Sequence, residues 1–294
     1  MDKKMKRKNS KNIVGGRKKQ IVNGIQFAGV TALFMLYMVP FLLLIINSFK
    51  KKRDIITNPF AIIGEQGQTI ENYIKAFEKM DFIRAFSNTV MITGLSTLAV
   101  VVLSSMVAYY FTREKNKFSA LFFAMMVAAM IIPFQSIMIP LVSIYGAGLD
   151  VLNHRITLIF MHTGFAMSMS VFIYQGFIKS NIPLSLEEAA HIDGATRLQI
   201  FFKIVFPLLK PTTATVIILN ALAFWNDYLL PSLVLGKKEL FTLPLSTYSF
   251  YGTYSADYGV IMAALVLTVA PILVIYLLLQ KQIISGVVAG AVKL

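Results

Sequence analysis

The sequence contains no cysteine, which excludes a disulfide framework, a thiolate nucleophile and any cysteine-based metal site. It is poor in histidine: His154, His162 and His191 are the only three, none stands at metal-ligand spacing from another, and no His-Glu-x-x-His run exists. No metal and no resident cofactor are expected. His162 reads as a satisfied interior histidine and His191 as a surface residue facing a partner. A phosphate-cradling loop is missing too. Gly236-Lys237 is the only Gly-Lys pair, Lys238 follows it instead of Ser or Thr, and Pro231 stands where the earlier glycine of such a loop would sit. An ATP-driven engine would have to come from another polypeptide, and no nucleophile, base or metal cluster argues for an enzyme. Acidic residues are scarce, 14 against 28 Lys and Arg. Nine of those basic residues lie within residues 3–19, where a tail against anionic lipid headgroups explains them better than nucleic acid does.

What the sequence has is apolar length. It is 56% hydrophobic and only 14% charged, with a mean hydropathy of +0.68, far from the composition of a soluble domain. Six apolar segments follow one another, at residues 27–47, 88–111, 118–142, 152–177, 208–235 and 259–279. Each approaches or exceeds the roughly 20 residues that span a bilayer as a helix. The first follows a basic region, as a signal peptide would, but its length and the lack of a small-x-small cleavage site read as a retained anchor. The predicted fold is an all-α integral membrane protein with six transmembrane helices. Residues 1–24 form a basic cytoplasmic tail and residues 25–294 one six-span domain. With both termini cytoplasmic, 18 Lys and Arg fall inside and 10 outside, in agreement with the positive-inside rule. Lys50-Lys51-Lys52-Arg53, just outside the first span, violates it locally.

One polar-initiated stretch stands out among these segments. Ser185-Leu186-Glu187-Glu188 has the spacing of a capping box and predicts a helix start. Asp193-Gly194 supplies a residue that tolerates a left-handed backbone and predicts the stop. Thr196-Arg197-Leu198-Gln199 repeats the capping spacing, opening a second helix whose Phe201, Ile204, Val205 and Leu208 share one face. Glu188-Ala189-Ala190, three residues, Gly194, nine residues, Ile204 and then Pro207 resembles the cytoplasmic loop of ATP-binding-cassette importer permeases. Phe206 departs from the family's usual leucine but stays apolar. The resemblance implies a type I ABC-importer permease fold and a loop, here residues 178–211, that seats in a separate ATPase subunit. Glu188, Ala189, Ala190, Asp193, Gly194, Ile204 and Pro207 are the coupling residues it implies.

Polar groups inside spans are costly in lipid and tend to face the bundle or a wet path. Trp225-Asn226-Asp227-Tyr228, followed by Pro231, is the strongest such group. Asp227 reads either as a path or gate residue or as a helix-end carboxylate bonded to a neighbouring helix. Gln135, between Pro133 and Pro140 of a kinked third span, and Asn220 are further path candidates. Gln135 and Ser136 are expected to re-satisfy carbonyls freed by the prolines. The loop at residues 236–258 is aromatic, and its Tyr248, Phe250, Tyr251 and Tyr254 are candidates for docking a substrate-delivery protein. Phe224 to Pro231 and the Gly290-Ala291-Val292-Lys293 close resemble the carbohydrate branch of the permease family. That resemblance implies one membrane subunit of a bacterial plasma-membrane sugar importer, working with an ATP-hydrolysing subunit dimer, a second homologous permease and an extracellular solute-binding protein. Two alternatives stay open: an ion- or proton-driven transporter with Asp227 titrating, and an importer of the same family for a non-sugar solute.

Overall fold

A computed structural model of the protein describes residues 17–250 and 257–291, with side chains for residues 22–248, 250, 257–277 and 280. Most of the basic tail, Tyr251 and Tyr254 lie outside the described residues. In chain order the helices are α1 (Arg17–Ser48), α2 (Lys52–Thr57), α3 (Glu71–Lys79), α4 (Phe82–Arg113), α5 (Lys117–Ala129), α6 (Phe134–Val142), α7 (Arg155–Asn181), α8 (Leu184–Ile192), α9 (Arg197–Ile200), α10 (Phe206–Leu208), α11 (Lys210–Asn226), α12 (Leu229–Val234), α13 (Leu243–Thr247) and α14 (Tyr258–Ala291). Among the described residues there is no strand, only an isolated antiparallel bridge between Lys50 and Gln68.

Val22–Ser48, Phe82–Arg113, Arg155–Asn181 and Tyr258–Leu277 are long and apolar enough to cross a membrane. Two bent pairs bring the number to six if each is one span: Lys117–Ala129 with Phe134–Gly148, bent by 99°, and Arg197–Leu208 with Lys210–Asn226, bent by 77°. The third segment is therefore broken and not merely kinked. Pro133 stands in extended backbone at the start of α6, where its missing amide leaves no helical bond unmade. Gln135 and Ser136, expected to re-satisfy freed carbonyls, are exposed instead, because the break comes before them. The fifth segment also divides: α11 ends at Asn226, Asp227 is extended (φ −70°, ψ 126°), and α12 restarts with Pro231 in its first turn.

The bundle is built around α4. Its inward face alternates apolar residues with Asn88, Thr89, Thr93, Ser96, Thr97, Ser104, Ser105 and Thr112. These small side chains let α7 and α11 approach closely, and the hydroxyls of Thr89, Ser104 and Thr112 donate back to carbonyls one turn earlier. Val100 and Ala108 of α4, Val171 and Tyr174 of α7, and Val216 of α11 share one apolar core with Phe201, Val205 and Leu209 of the loop. Helix α1 packs on α14 and otherwise leaves its apolar surface exposed.

The segment between α1 and α4 explains part of the basic cluster that violates the charge rule. Lys50 is fully buried, and its ammonium donates to Asn47 Oδ1 at 3.0 Å, Asn58 O at 3.1 Å and Pro59 O at 3.2 Å. Asn72 of α3 donates to the carbonyls of Ser48 and Lys50, both at 2.8 Å. Lys50 therefore holds a fold together and is not a surface charge; Lys51, Lys52 and Arg53 are exposed.

Candidate functional site

The loop between α7 and α11 forms the first site. Pro183, not Ser185, occupies the N-cap of α8, and no side chain caps that end. The expected Ser185–Glu188 capping box is thus absent, because α8 starts two residues earlier and places Ser185 inside the first turn. Its other end is as expected: Gly194 has φ +83°, its amide bonds His191 O at 3.0 Å, and the amide of Ala195 bonds Ala190 O at 3.0 Å. This pair of bonds is the Schellman motif, which requires the left-handed residue. The second capping box is present, with Thr196 N donating to Gln199 Oε1 at 2.8 Å and Gln199 N to Thr196 Oγ1 at 3.4 Å.

After α9 the chain runs through a π-helical turn, Phe201–Val205, that adds a residue to the repeat. The buried face is consequently Phe201, Val205 and Leu209, while Leu208, expected on that face, is 45% exposed. Ile204 is half-buried and Pro207 is exposed near the start of α10.

The two neighbouring glutamates of α8 face opposite ways. Glu187 is buried: Arg113 Nη2 lies 2.6 Å and Nε 2.8 Å from its Oε1, and Tyr109 OH donates to its Oε2 at 2.8 Å. The same guanidinium donates to Ile182 O at 2.9 Å. The next residue of α4's end, Glu114, pairs with Arg197 of α9. One doublet, Arg113-Glu114, therefore ties both loop helices to α4, around a cavity of about 460 Å³. Glu188, Ala189, His191 and Asp193 are exposed, whereas Ala190 is turned inward against the core. Ile192 is 86% exposed and Leu198 62%, so the outer surface of the loop is apolar as well as acidic.

The second site lies at the break between α11 and α12. Asp227 Oδ1 accepts from the amides of Leu229 at 3.0 Å and Leu230 at 3.4 Å, so the carboxylate caps the restarted helix. Its Oδ2 lies 3.0 Å from Nε2 of His162, whose ring stacks on Phe224 at 4.4 Å between centroids. His162 is buried as expected, yet its Nδ1 has no partner among the described residues. Asp227, Asn220 and His162 line a cavity of about 620 Å³ with Phe134, Phe165 and Ser168.

The other path candidates diverge. Trp225 is buried on the opposite side of α11, with its ring edge to Phe86 and Nε1 3.5 Å from Thr268 O. Asn226 is exposed and bonds its own helix through Leu222 O at 2.8 Å; neither it nor Gln135 lines the cavity. Of the aromatic loop, Tyr248 is exposed beside Tyr228, but Phe250 is 4% exposed under Lys79 and cannot serve as a free docking ring.

Sequence reasoning missed Glu187, Arg113, Tyr109, Glu114, Arg197 and His162. Glu187 had a signal only once Ala190, three places on and on the same face, is seen to turn inward, which the structure tells and the sequence does not. His162 had none, since 65 residues separate it from Asp227.

Residues 100–288 match the family described as binding-protein-dependent transport system inner membrane component. The chain is 40% identical over 272 residues to a probable starch degradation products transport system permease protein, AmyC, of Thermoanaerobacterium thermosulfurigenes, covering 92% of this chain and 96% of that one. It is 37% identical to the melibiose/raffinose/stachyose import permease protein MelC of Bacillus subtilis, with 87% and 92% covered. Among solved structures, a chain of a bacterial ABC transporter involved in import of the acidic polysaccharide alginate superposes with a TM-score of 0.76 at 20% identity, over 91% of this chain and 98% of that chain, a likeness of fold. The chain belongs to the family of binding-protein-dependent transport system inner membrane components.

Proposed function

We propose that this chain is one membrane-spanning subunit of an ATP-driven carbohydrate importer, forming half of the translocation path in a bacterial cell membrane with both termini in the cytoplasm. The observation that carries the reading is the loop at residues 178–211: turned at Gly194 and capped at Thr196, clamped to α4 by Arg113-Glu114, and apolar on its free surface. Hydrolysis belongs to a separate pair of ATPase subunits, a reading supported by the lack of a phosphate-binding motif in the sequence. Closure of that pair moves the loop, the clamp carries the movement into α4, and the spans alternate between inward- and outward-facing arrangements. Glu188 offers a carboxylate to a cation of the ATPase, exposed Ala189 permits close approach, and Gly194 with Asp193 sets the corner. Ile204 and Pro207 join the loop to α11. A second, homologous permease completes the path, and an external solute-binding protein delivers the cargo near Tyr248. Sugar as cargo is supported by the named substrates of the relatives, and a binding-protein partner by the alginate transporter solved with its periplasmic protein.

The test is purification in mild detergent with identification of what accompanies the chain. Recovery of an ATPase, a second permease and a solute-binding protein, with the ATPase lost on Gly194→Pro, is the expected result. A lone homo-oligomer that transports in liposomes without ATP would overturn the reading in favour of an ion-driven transporter.

A further inference from the structure

The cavity at the α11–α12 break brings together groups that the packing of the bundle does not use up. The carboxylate of Asp227 is positioned by His162 and by two amides, yet its side chain stays 25% exposed. Asn220 spends its amide group on Ser170 Oγ at 3.2 Å and Val216 O at 2.8 Å, and among the described residues no hydrogen bond falls on its Oδ1. Phe165, 46% exposed, is steadied edge-on by Phe134 at 5.2 Å. A carboxylate and an amide oxygen beside hydrocarbon are costly unless they meet a polar ligand, another subunit or water. The volume of about 620 Å³ falls within the range of roughly 300–1,000 Å³ usual for small-ligand sites.

We infer that this subunit contacts the cargo itself: the cavity receives one sugar ring, whose hydroxyls donate to Asp227 and Asn220 Oδ1 while its C–H face lies on Phe165. The chemistry matches the class. A pyranose presents hydroxyl donors around its rim and an apolar face, and a flat aromatic beside fixed oxygens satisfies both. His162 is a positioning residue, aiming Asp227 from behind. A metal cation fits poorly, because one carboxylate already shared among three donors leaves too few oxygens. The inference rests on the importer reading above.

The complete complex, reconstituted in liposomes with ATP on the cytoplasmic side, is assayed for initial uptake of radiolabelled maltotriose, raffinose and a panel of smaller sugars. Asp227→Ala lowers uptake of the preferred sugar about tenfold or more while the complex still assembles, the scale expected when a site built to bind hydroxyls loses an acceptor. Phe165→Ala, at an exposed position that does not threaten folding, shifts the ratio of rates between two transported sugars about tenfold. His162→Gln retains more uptake than His162→Ala, since an amide can still donate to Asp227. A photoreactive derivative of the preferred sugar, captured during turnover, labels the peptide containing Phe165. Unchanged sugar ratios in Phe165→Ala, together with label found only on other subunits, would refute the cargo contact while leaving the importer reading intact. A wild-type complex that imports no sugar in the panel but carries another solute defeats both, and is recognised because the unaltered chain fails.

Discussion

At the scale of single residues, the Glu187–Arg113 pair is the interaction on which the loop most depends. Both side chains are largely removed from water, so deleting one partner strands the other, a loss of about 3–5 kcal/mol in comparable buried pairs. Arg113→Ala should therefore raise hydrogen exchange at α8 and lower the melting temperature of the detergent-purified chain, while Glu188→Gln should alter neither. Protection at α8 unaffected by Arg113→Ala would refute the clamp. Caps give a sharper contrast. Thr196→Ala should cost about 1 kcal/mol, because it removes a capping bond, whereas Ser185→Ala should change stability by less than about 0.5 kcal/mol. Equal losses in the two variants would mean that α8 starts at Ser185 after all. Lys50 makes the opposite case to its exposed neighbours: Lys50→Met leaves buried oxygens without a donor, at about 1–3 kcal/mol, and limited proteolysis should then cut within residues 51–69. Continued resistance would show the clasp to be dispensable.

At the scale of elements, what matters is where helices stop. Gly194 at φ +83° has open space where a Cβ would sit, so its requirement is one of backbone and not of packing. Gly194→Ala should accordingly cost about 1–2 kcal/mol of loop stability, with Gly194→Asn milder because Asn visits the left-handed region more readily. Equal tolerance of both substitutions would show that the corner needs no left-handed residue. This end of α8 was legible in the sequence because a C-cap is a local event. The start of α8 was not, since Pro183 follows α7 so closely that the chain turns before Ser185 can cap. Likewise Phe201 and Val205 could be read from spacing, but the π-helical turn moved the third buried position from Leu208 to Leu209. A single inserted residue is invisible to a pattern that assumes a constant repeat.

At the scale of the whole molecule, the cysteine-free sequence makes orientation directly measurable, because any single introduced cysteine is the only thiol in the chain. Ile192→Cys should react with an impermeant maleimide only from the cytoplasmic side, and Ile62→Cys, 70% exposed in the segment between α1 and α4, only from outside. Labelling of both from the same side, or of each from the opposite side, would refute the topology on which the coupling loop depends.

By itself the sequence determined the membrane class, the apolar segments and the helix corner at Gly194. Each follows from composition or from residues a few places apart, where backbone preference and hydrophobicity act locally. Only the tertiary structure decided that Glu187 turns inward while Glu188 stays free, that Trp225 leaves Asp227 for the opposite side of its helix, and that His162 comes to meet that carboxylate. Those outcomes depend on which helices touch, and contact between distant segments is set by packing of the whole bundle, which no local pattern encodes.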